Sequence, residues 1–205
     1  MRIVLCLVLL WLAPLAQADR LLVLGDSISA AWGIDKEEGW VALLEERLDE
    51  RECSGLEVRN SSSSGETSAG GRSRLPALLE RHEPAVVVIE LGGNDGLRGM
   101  VPERMKDNLR AMIEKSREAD ARPVLFGMRI PPNYGEAYSR MFEDAFRTVA
   151  EETDVPFLPF FLEGVGGEVG MMQDDGIHPT AKAQPRLLDN AWGVLEDVLA
   201  PWCED

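Results

Sequence analysis

Two patterns of apolar residues alternate along the chain. Short continuous apolar runs, typical of strands buried on both faces of a parallel sheet, occur at 20–24, 56–59, 85–91, 123–126 and 156–158. Between them, apolar residues recur at every third or fourth position, as on one face of a helix, near 40–48, 75–79, 105–113, 138–149 and 188–199. The alternation predicts one α/β domain with a mostly parallel five-stranded sheet and helices on both faces.

The loops at the carboxyl ends of the predicted strands carry the candidate chemistry. In open parallel sheets, ligands bind at this edge, just beyond the ends of the strands. The edge gathers the loops at 25–27, near 65, at 92–95 and at 128–134, and the loop 173–180 joins them before the last helix. Residues far apart in the sequence are therefore expected to share one site.

Ser27 and His178 are the candidate pair for nucleophilic catalysis. Ser27 follows the first strand in LGDSISAAWG, where it could also be a turn or N-cap residue, and Ser29 replaces the second glycine of a nucleophile elbow. A serine nucleophile needs a base, and the base needs a carboxylate to orient it. In QDDGIHPT, Asp175 precedes His178 by one turn of chain, and Asp174 is the competing carboxylate.

The alternative for His178 is a solvated loop histidine near a helix start, where the helix dipole disfavours positive charge. The chain has two histidines, and the other, His82, lies near the end of a predicted helix, before Pro84, and extends its apolar face. His82 is expected to be structural, so His178 is the favoured base.

Asn94 and Gly65 are candidate hydrogen-bond donors to an oxyanion. Asn94 follows the most apolar strand in ELGGNDGLRG, and its amide could donate to negative charge that develops during acyl transfer. Gly65, in SSSSGETSAGG, could offer its backbone N–H to the same point, because a residue without Cβ allows close approach. The alternatives are an Asx turn at Asn94 and a flexible loop around Gly65.

Together, these blocks resemble the SGNH-hydrolase (GDSL esterase/lipase) superfamily, whose motifs are Gly-Asp-Ser, a loop glycine, Gly-x-Asn-Asp and Asp-x-x-His. The segments LLVLGDSISA, LGGNDGLRG, MRIPPNYG, VPFLPFF and MQDDGIHP are similar to its periplasmic thioesterase I/protease I/lysophospholipase and arylesterase group. The resemblance implies a three-layer flavodoxin-like sandwich, Ser27 as nucleophile, and His178 as general base and then acid. It implies Asp175 as the orienting carboxylate, and an oxyanion hole of the Ser27 and Gly65 N–H groups and the Asn94 side chain. It implies neither a metal nor a cofactor.

The chemistry fits many acyl esters and thioesters, so the choice among substrate classes depends on charge and on the composition of the loops. The chain has 36 acidic and 21 basic residues, a net charge of −15, which disfavours nucleic acid and polyanionic acyl-CoA. Arg98 and Arg129 could offset this charge locally, although such arginines more often form structural ion pairs. Carboxylic esters and lysophospholipids are therefore favoured, with thioesterase activity as a broad capability. Candidate substrate-binding residues are Leu97, Arg98, Met128, Ile130, Pro131 and Tyr134, together with the loop 160–172.

Two alternatives from other classes stay open. One is a carbohydrate-acetyl esterase on the same fold, which a preference for acetyl over longer acyl groups would distinguish. The other is a non-catalytic periplasmic binding module, which the full set of Ser27, Asn94, Asp175 and His178 argues against. We expect a monomer that binds a small-molecule or lipid ester.

The first 18 residues are typical of a secretory signal peptide. A short positive start precedes an apolar run at 3–15, and Ala-Gln-Ala at 16–18 offers a small-x-small cleavage site. The run is too short to span a hydrocarbon core of ~30 Å comfortably. We expect a domain over 19–205 that is periplasmic or secreted after cleavage near Ala18, without stable membrane insertion.

Cleavage would leave two cysteines, Cys53 after the first helix and Cys203 after the last, both without histidine partners at metal-binding spacing. All helices of a doubly wound fold run in one direction. In the flavodoxin-like strand order, the first and last helices also pack on the same face. An oxidising compartment then favours a Cys53–Cys203 disulfide at the edge opposite the active site, and two free thiols are the alternative.

Overall fold

The computed structural model describes residues 19–53 and 55–203. Within them, parallel strands form a five-stranded sheet in the order β2-β1-β3-β4-β5. This flavodoxin-like order confirms the predicted parallel α/β sheet. The strands are β1 (Asp19–Gly25), β2 (Leu56–Asn60), β3 (Val86–Glu90), β4 (Arg122–Phe126) and β5 (Phe157–Leu158).

Helices cover both faces of the sheet and give three layers. Helices α1 and α6 pack together, whereas α2 packs against α4 and α4 against α5. The helix α3 was not predicted, because its segment was interpreted as a loop. The helices are α1 (Trp40–Glu50), α2 (Ser68–His82), α3 (Gly93–Leu97), α4 (Pro102–Glu118), α5 (Glu136–Thr153) and α6 (Gln184–Leu199).

The core lies on both faces of the central strands. All five residues of β3 are buried, as are the last five of β1, which explains why these strands are continuous apolar runs. An aromatic cluster packs between α1, β4 and the segment after β5, with ring centroids 5.0 to 5.9 Å apart; its members are Trp40, Phe126 and Phe161.

Helices α1 and α6 are tied together at the edge opposite the carboxyl ends of the strands. Cys53 and Cys203 form a disulfide across a sequence separation of 150, which confirms the predicted pairing. Nearby, the Trp202 Nε1–H donates to Asp19 Oδ2 at 2.7 Å, so the last described turn is also bonded to the start of β1. A covalent contact and a polar contact thus both help to fix this edge.

The predicted signal peptide, at residues 1–18, lies outside the described residues. In the part of the chain that the structure describes, no helix combines the length and the apolar character needed to cross a membrane.

Candidate active site

Ser27 lies directly after β1, at the carboxyl edge of the sheet, and faces a cavity. Its turn is held by the Ile28 N–H, which donates to Asp26 Oδ1 at 3.0 Å. Gly25 allows the turn to sit close to β3, because a Cβ at that position would come within 2.6 Å of Glu90 Oε2. The local sequence thus presents the serine hydroxyl on a tightly packed turn.

His178 lies within hydrogen-bond distance of Ser27, 151 residues away in the sequence. Its Nε2 is 2.9 Å from Ser27 Oγ, and its Nδ1 is 2.6 Å from Asp175 Oδ2. The second oxygen of Asp175 accepts the N–H groups of Ile177 and His178 at 2.9 and 3.0 Å. The bond to the His178 ring, followed by these backbone bonds, lowers the pKa of Asp175 to about 2. Of the two competing carboxylates, the structure pairs Asp175 rather than Asp174 with the ring.

The loop that carries His178 is fastened to the turn that carries the serine. The Gln173 N–H donates to the His178 carbonyl at 2.7 Å, and Gln173 Nε2 donates to the carbonyls of Trp32 and Pro179 at 2.8 and 3.0 Å. Gln173 therefore links the loop that carries the candidate base to the turn that carries the candidate nucleophile.

Asn94 lies on α3 and is oriented by the residue that precedes Ser27. Its Nδ2 donates to Asp26 Oδ2 at 2.9 Å. The helix itself is anchored by Asp95, whose two carboxylate oxygens accept the N–H and the hydroxyl of Ser68 at 2.8 and 2.5 Å. Asn94 also lines the cavity, so its amide is within the same site as Ser27.

Gly65 lies at the same edge, in the loop between β2 and α2. Its φ of 75° is in the left-handed region that favours glycine. The Ser63 N–H ties the loop to the Gly25 carbonyl at 3.0 Å, and Arg98 donates to the Gly65 carbonyl at 2.9 Å. Because Arg98 directly follows α3, it links the Gly65 loop to the helix that carries Asn94.

Two buried acids lie beneath the serine turn, and the sequence analysis missed both. Glu90, at the end of β3, is fully buried and accepts the Ser29 hydroxyl at 2.6 Å and the Asp26 N–H at 3.3 Å. Burial, followed by the nearby Asp26 charge, raises the pKa of Glu90 well above its ordinary value. Burial also raises the pKa of Asp26 to about 6. The available signal was one acidic residue within the apolar strand VVVIEL.

An apolar cavity of about 400 Å³ opens beside Ser27 and His178. Four of the six predicted substrate-binding residues line it, namely Leu97, Met128, Ile130 and Pro131, together with Phe160, Leu162, Gly166, Gly167 and Met172 from the predicted loop. Arg98 and Tyr134 are not among the lining residues. Arg98 bonds Gly65 instead, and the Tyr134 hydroxyl donates to the Leu97 carbonyl at 2.7 Å, so it supports the wall from behind.

Arg129 also lines the cavity, but acidic neighbours offset its charge. Its guanidinium lies 4.5 Å from the centre of the Phe160 ring and forms ion pairs with Glu143 at 3.3 Å and Glu163 at 3.6 Å. The sequence left two roles open for Arg129, local compensation of the acidic charge and structural ion pairing. The observed arrangement corresponds to structural ion pairing. The cavity therefore presents mainly apolar surface to a ligand.

Comparison with known proteins finds related sequences along most of the chain. A model of the GDSL-like lipase/acylhydrolase family matches residues 23–185. Esterase TesA of Pseudomonas aeruginosa is 54% identical over 194 residues, which cover 95% of this chain and 96% of that protein. Thioesterase 1/protease 1/lysophospholipase L1 of Escherichia coli K12 is 45% identical over 85% of this chain and 82% of that protein. An arylesterase of Vibrio mimicus is 44% identical over 87% of this chain and 89% of that protein.

Solved structures with the same fold agree with these relatives. The crystal structure of TesA superposes with a TM-score of 0.86 at 54% identity, covering 88% of this chain and 99% of that chain. The structure of the esterase EstA from a Pseudoalteromonas species, inhibited by monoethylphosphonate, superposes with a TM-score of 0.83 at 44% identity. The match covers 89% of this chain and 99% of that chain.

Proposed function

The chain belongs to the GDSL-like lipase/acylhydrolase family, and we propose that it is a serine hydrolase that cleaves carboxylic esters and acyl thioesters through an acyl-enzyme on Ser27. One observation carries this proposal: hydrogen bonds of 2.9 and 2.6 Å connect Ser27 Oγ, the His178 ring and Asp175. A binding protein has no need for a base beside a hydroxyl, so this geometry disfavours a non-catalytic module.

In the acylation step, Ser27 Oγ attacks the carbonyl carbon of the ester while His178 Nε2 accepts the hydroxyl proton. Asp175 remains ionised at neutral pH because its pKa is about 2, so it stabilises the imidazolium and holds the ring with Nε2 facing the serine. The tetrahedral intermediate then collapses, and its bond to the leaving-group oxygen breaks. His178 returns the proton to that oxygen.

The negative oxygen of the intermediate would be bound by the N–H groups of Ser27 and Gly65 and by Asn94 Nδ2. The bond from Asn94 to Asp26 and the bond from Arg98 to the Gly65 carbonyl hold two of these donor segments in advance, which supports a site that needs little reorganisation as charge develops. Water then attacks the acyl-enzyme with His178 again as base, which releases the acid and restores Ser27.

The apolar cavity supports an acyl group as its occupant, because apolar side chains such as Leu97, Met128 and Ile130 line it. The net charge of −15 and the ion-paired state of Arg129 leave little to attract a polyanionic thioester. Aryl esters and lysophospholipids are therefore the favoured substrates, and thioesters are secondary ones. The relatives named esterase, thioesterase/lysophospholipase and arylesterase support hydrolysis of both kinds of bond, so this order rests on charge and on the cavity lining.

The proposed enzyme acts outside the cytoplasm, as a monomer. The sequence pattern of residues 1–18 supports export with cleavage near Ala18. The Cys53–Cys203 disulfide also supports an oxidising compartment, because such bonds persist there and are rare in the cytosol.

A chain-length series on the exported protein tests the function. Aryl esters from acetyl to long acyl groups, and matching thioesters, would be assayed with wild type and Ser27→Ala. Wild type should hydrolyse esters with acyl groups longer than acetyl, and a fluorophosphonate should label it at Ser27. Ser27→Ala should lose both labelling and turnover while its circular dichroism remains unchanged.

Two outcomes would contradict the proposal. Retained turnover in Ser27→Ala would remove Ser27 as the nucleophile. Activity limited to acetyl groups, highest on acetylated sugars, would favour the carbohydrate-acetyl esterase instead.

A further inference from the structure

Trp32 presents an exposed aromatic surface beside the catalytic pair. Its side chain is 55% exposed, and its ring centroid lies 6.1 Å from that of His178 with an angle of 42° between the planes. Trp32 is not among the residues that line the acyl cavity, whereas His178 is. The histidine therefore contacts two different surfaces, the cavity and the indole.

The backbone of Trp32 is held from both sides of the site. Its N–H donates to the Ser27 carbonyl at 3.0 Å, and its carbonyl accepts from Gln173 Nε2 at 2.8 Å. Gln173 also binds the His178 loop. An exposed indole on a fixed backbone loses little conformational freedom when a ligand packs against it, which favours binding.

The geometry of acyl transfer leaves this side of His178 for the leaving group. The substrate carbonyl carries three groups: the acyl chain, the oxygen that becomes negative, and the leaving group. The acyl chain takes the cavity, and the oxygen points to Asn94. The leaving-group oxygen must lie near His178 Nε2 to receive its proton, so the rest of that group extends past the imidazole toward Trp32.

We propose that Trp32 forms a leaving-group subsite, which binds the planar aromatic part of aryl esters through its exposed indole. This inference rests on the proposed function, since it needs an acyl-enzyme on Ser27. Offset or edge-to-face packing between aromatic rings is the interaction, and an alkyl alcohol lacks the π-system needed for it.

The subsite acts in one half of the reaction. As Ser27 Oγ bonds to the carbonyl carbon, its proton passes to His178. The bond from that carbon to the phenolic oxygen then breaks, its electron pair stays on the oxygen, and His178 supplies the proton. The phenol leaves across Trp32. Deacylation follows with no aromatic group present, so Trp32 has no ligand in that step.

Trp32→Ala separates this role from others when it is assayed by pre-steady-state kinetics. An aryl and an alkyl ester of butanoic acid are compared, each normalised to wild type, because they form the same acyl-enzyme. We expect kcat/KM for the aryl ester to fall about 2- to 12-fold more than that for the alkyl ester, as removal of an aromatic pair predicts. The deacylation rate constant should not change, and Trp32→Phe should recover most of the loss.

Met141→Ala is the matched control, because Met141 is a similarly exposed apolar residue at 58%, on α5, and does not line the cavity. This substitution should leave kcat/KM unchanged for both esters. Equal losses on both esters with slower deacylation would overturn the proposal, since Trp32 would then position His178 instead. Unchanged rates on both esters would overturn it as well. Failure of the proposed function would look different: wild type itself would show no burst and no labelling at Ser27.

Discussion

Asp26→Asn removes a buried ionisable group from beneath the turn that carries Ser27 and keeps the shape of the side chain. The Asp26 side chain is 2% exposed and accepts hydrogen bonds from the Ile28 N–H and from Asn94. Burial penalises its charged form more than these bonds favour it, so the pKa rises from the ordinary 3.8 to about 6. The substitution should therefore change both the stability profile and the orientation of Asn94.

The stability effect follows from proton linkage. Between pH 3.8 and about 6, the folded protein keeps a proton on Asp26 that the unfolded chain has released. Stability from this group therefore falls as pH rises through that window and stays lower above it. At about 1.36 kcal/mol for each pKa unit, the full penalty is about 3 kcal/mol, and most of it develops between about pH 4 and about pH 7.5. Asp26→Asn cannot ionise at this position, so its unfolding free energy should rise relative to that of wild type over this range.

Urea unfolding followed by tryptophan fluorescence at several pH values measures this difference. Asp175→Asn is an internal comparison with the opposite sign, because a pKa lowered to about 2 adds stability that is present above pH 3.8 and lost as pH falls toward 2. A constant difference between Asp26→Asn and wild type across the range would refute the reasoning about the buried acid.

The same variant should lose activity, because asparagine has one side-chain acceptor oxygen where Asp26 uses two, and an oxygen that stays with the Ile28 N–H leaves the Asn94 Nδ2–H facing an NH2 group. Asn94 then loses its anchor, and kcat should fall toward the ~100–1,000-fold loss typical of a missing oxyanion donor. Wild-type kcat in Asp26→Asn would mean that Asp26 does not orient the amide.

Three further predictions concern the base, the oxyanion donor and the disulfide. His178→Ala should abolish turnover, whereas His82→Ala should change stability at most; a reversed result in an ester assay would exclude His178 as the base. Asn94→Ala should lower kcat ~100–1,000-fold with little change in KM, because the oxyanion exists only along the reaction path, and an equal effect on substrate binding would argue for a binding role. Replacing Cys53 and Cys203 with serine should cost up to about 5 kcal/mol in urea unfolding for a loop of 150 residues, with activity kept at 25 °C. Two alkylatable thiols in the non-reduced wild type would contradict the bridge.

The strands were predictable because each is a short apolar run between helical patterns, and a parallel order buries both faces. Helix α3 could not be predicted from the sequence, since GNDGL has two glycines and no apolar repeat. Its stability comes from tertiary contacts, such as the Asp95 bonds to Ser68 at the start of α2. A five-residue helix has no periodicity for the sequence to reveal.

The order of the site motifs was predictable from the sequence, but the residues that hold these motifs in place were not. Glu90 lies beneath the serine turn because the register pairs it with Gly25 in the neighbouring strand, and a single sequence does not give that register. Arg98 and Tyr134 lie in the expected loops, but their polar atoms bond backbone carbonyls instead of facing the cavity. The sequence does not mark Trp32 as a site residue, because only the folded chain brings its ring close to that of His178.

The bond between Trp202 and Asp19, next to the disulfide, matters for protein engineering. It brings both ends of the described chain to one edge, while Ser27 follows the other end of β1, a seven-residue strand about 20 Å long. A solid support or fusion partner attached through the last turn would leave the cavity facing solution. If residues 1–18 are removed as proposed, a short linker between these ends would also allow a circular permutant, in which new termini open elsewhere and the loops of the candidate site stay on continuous chain.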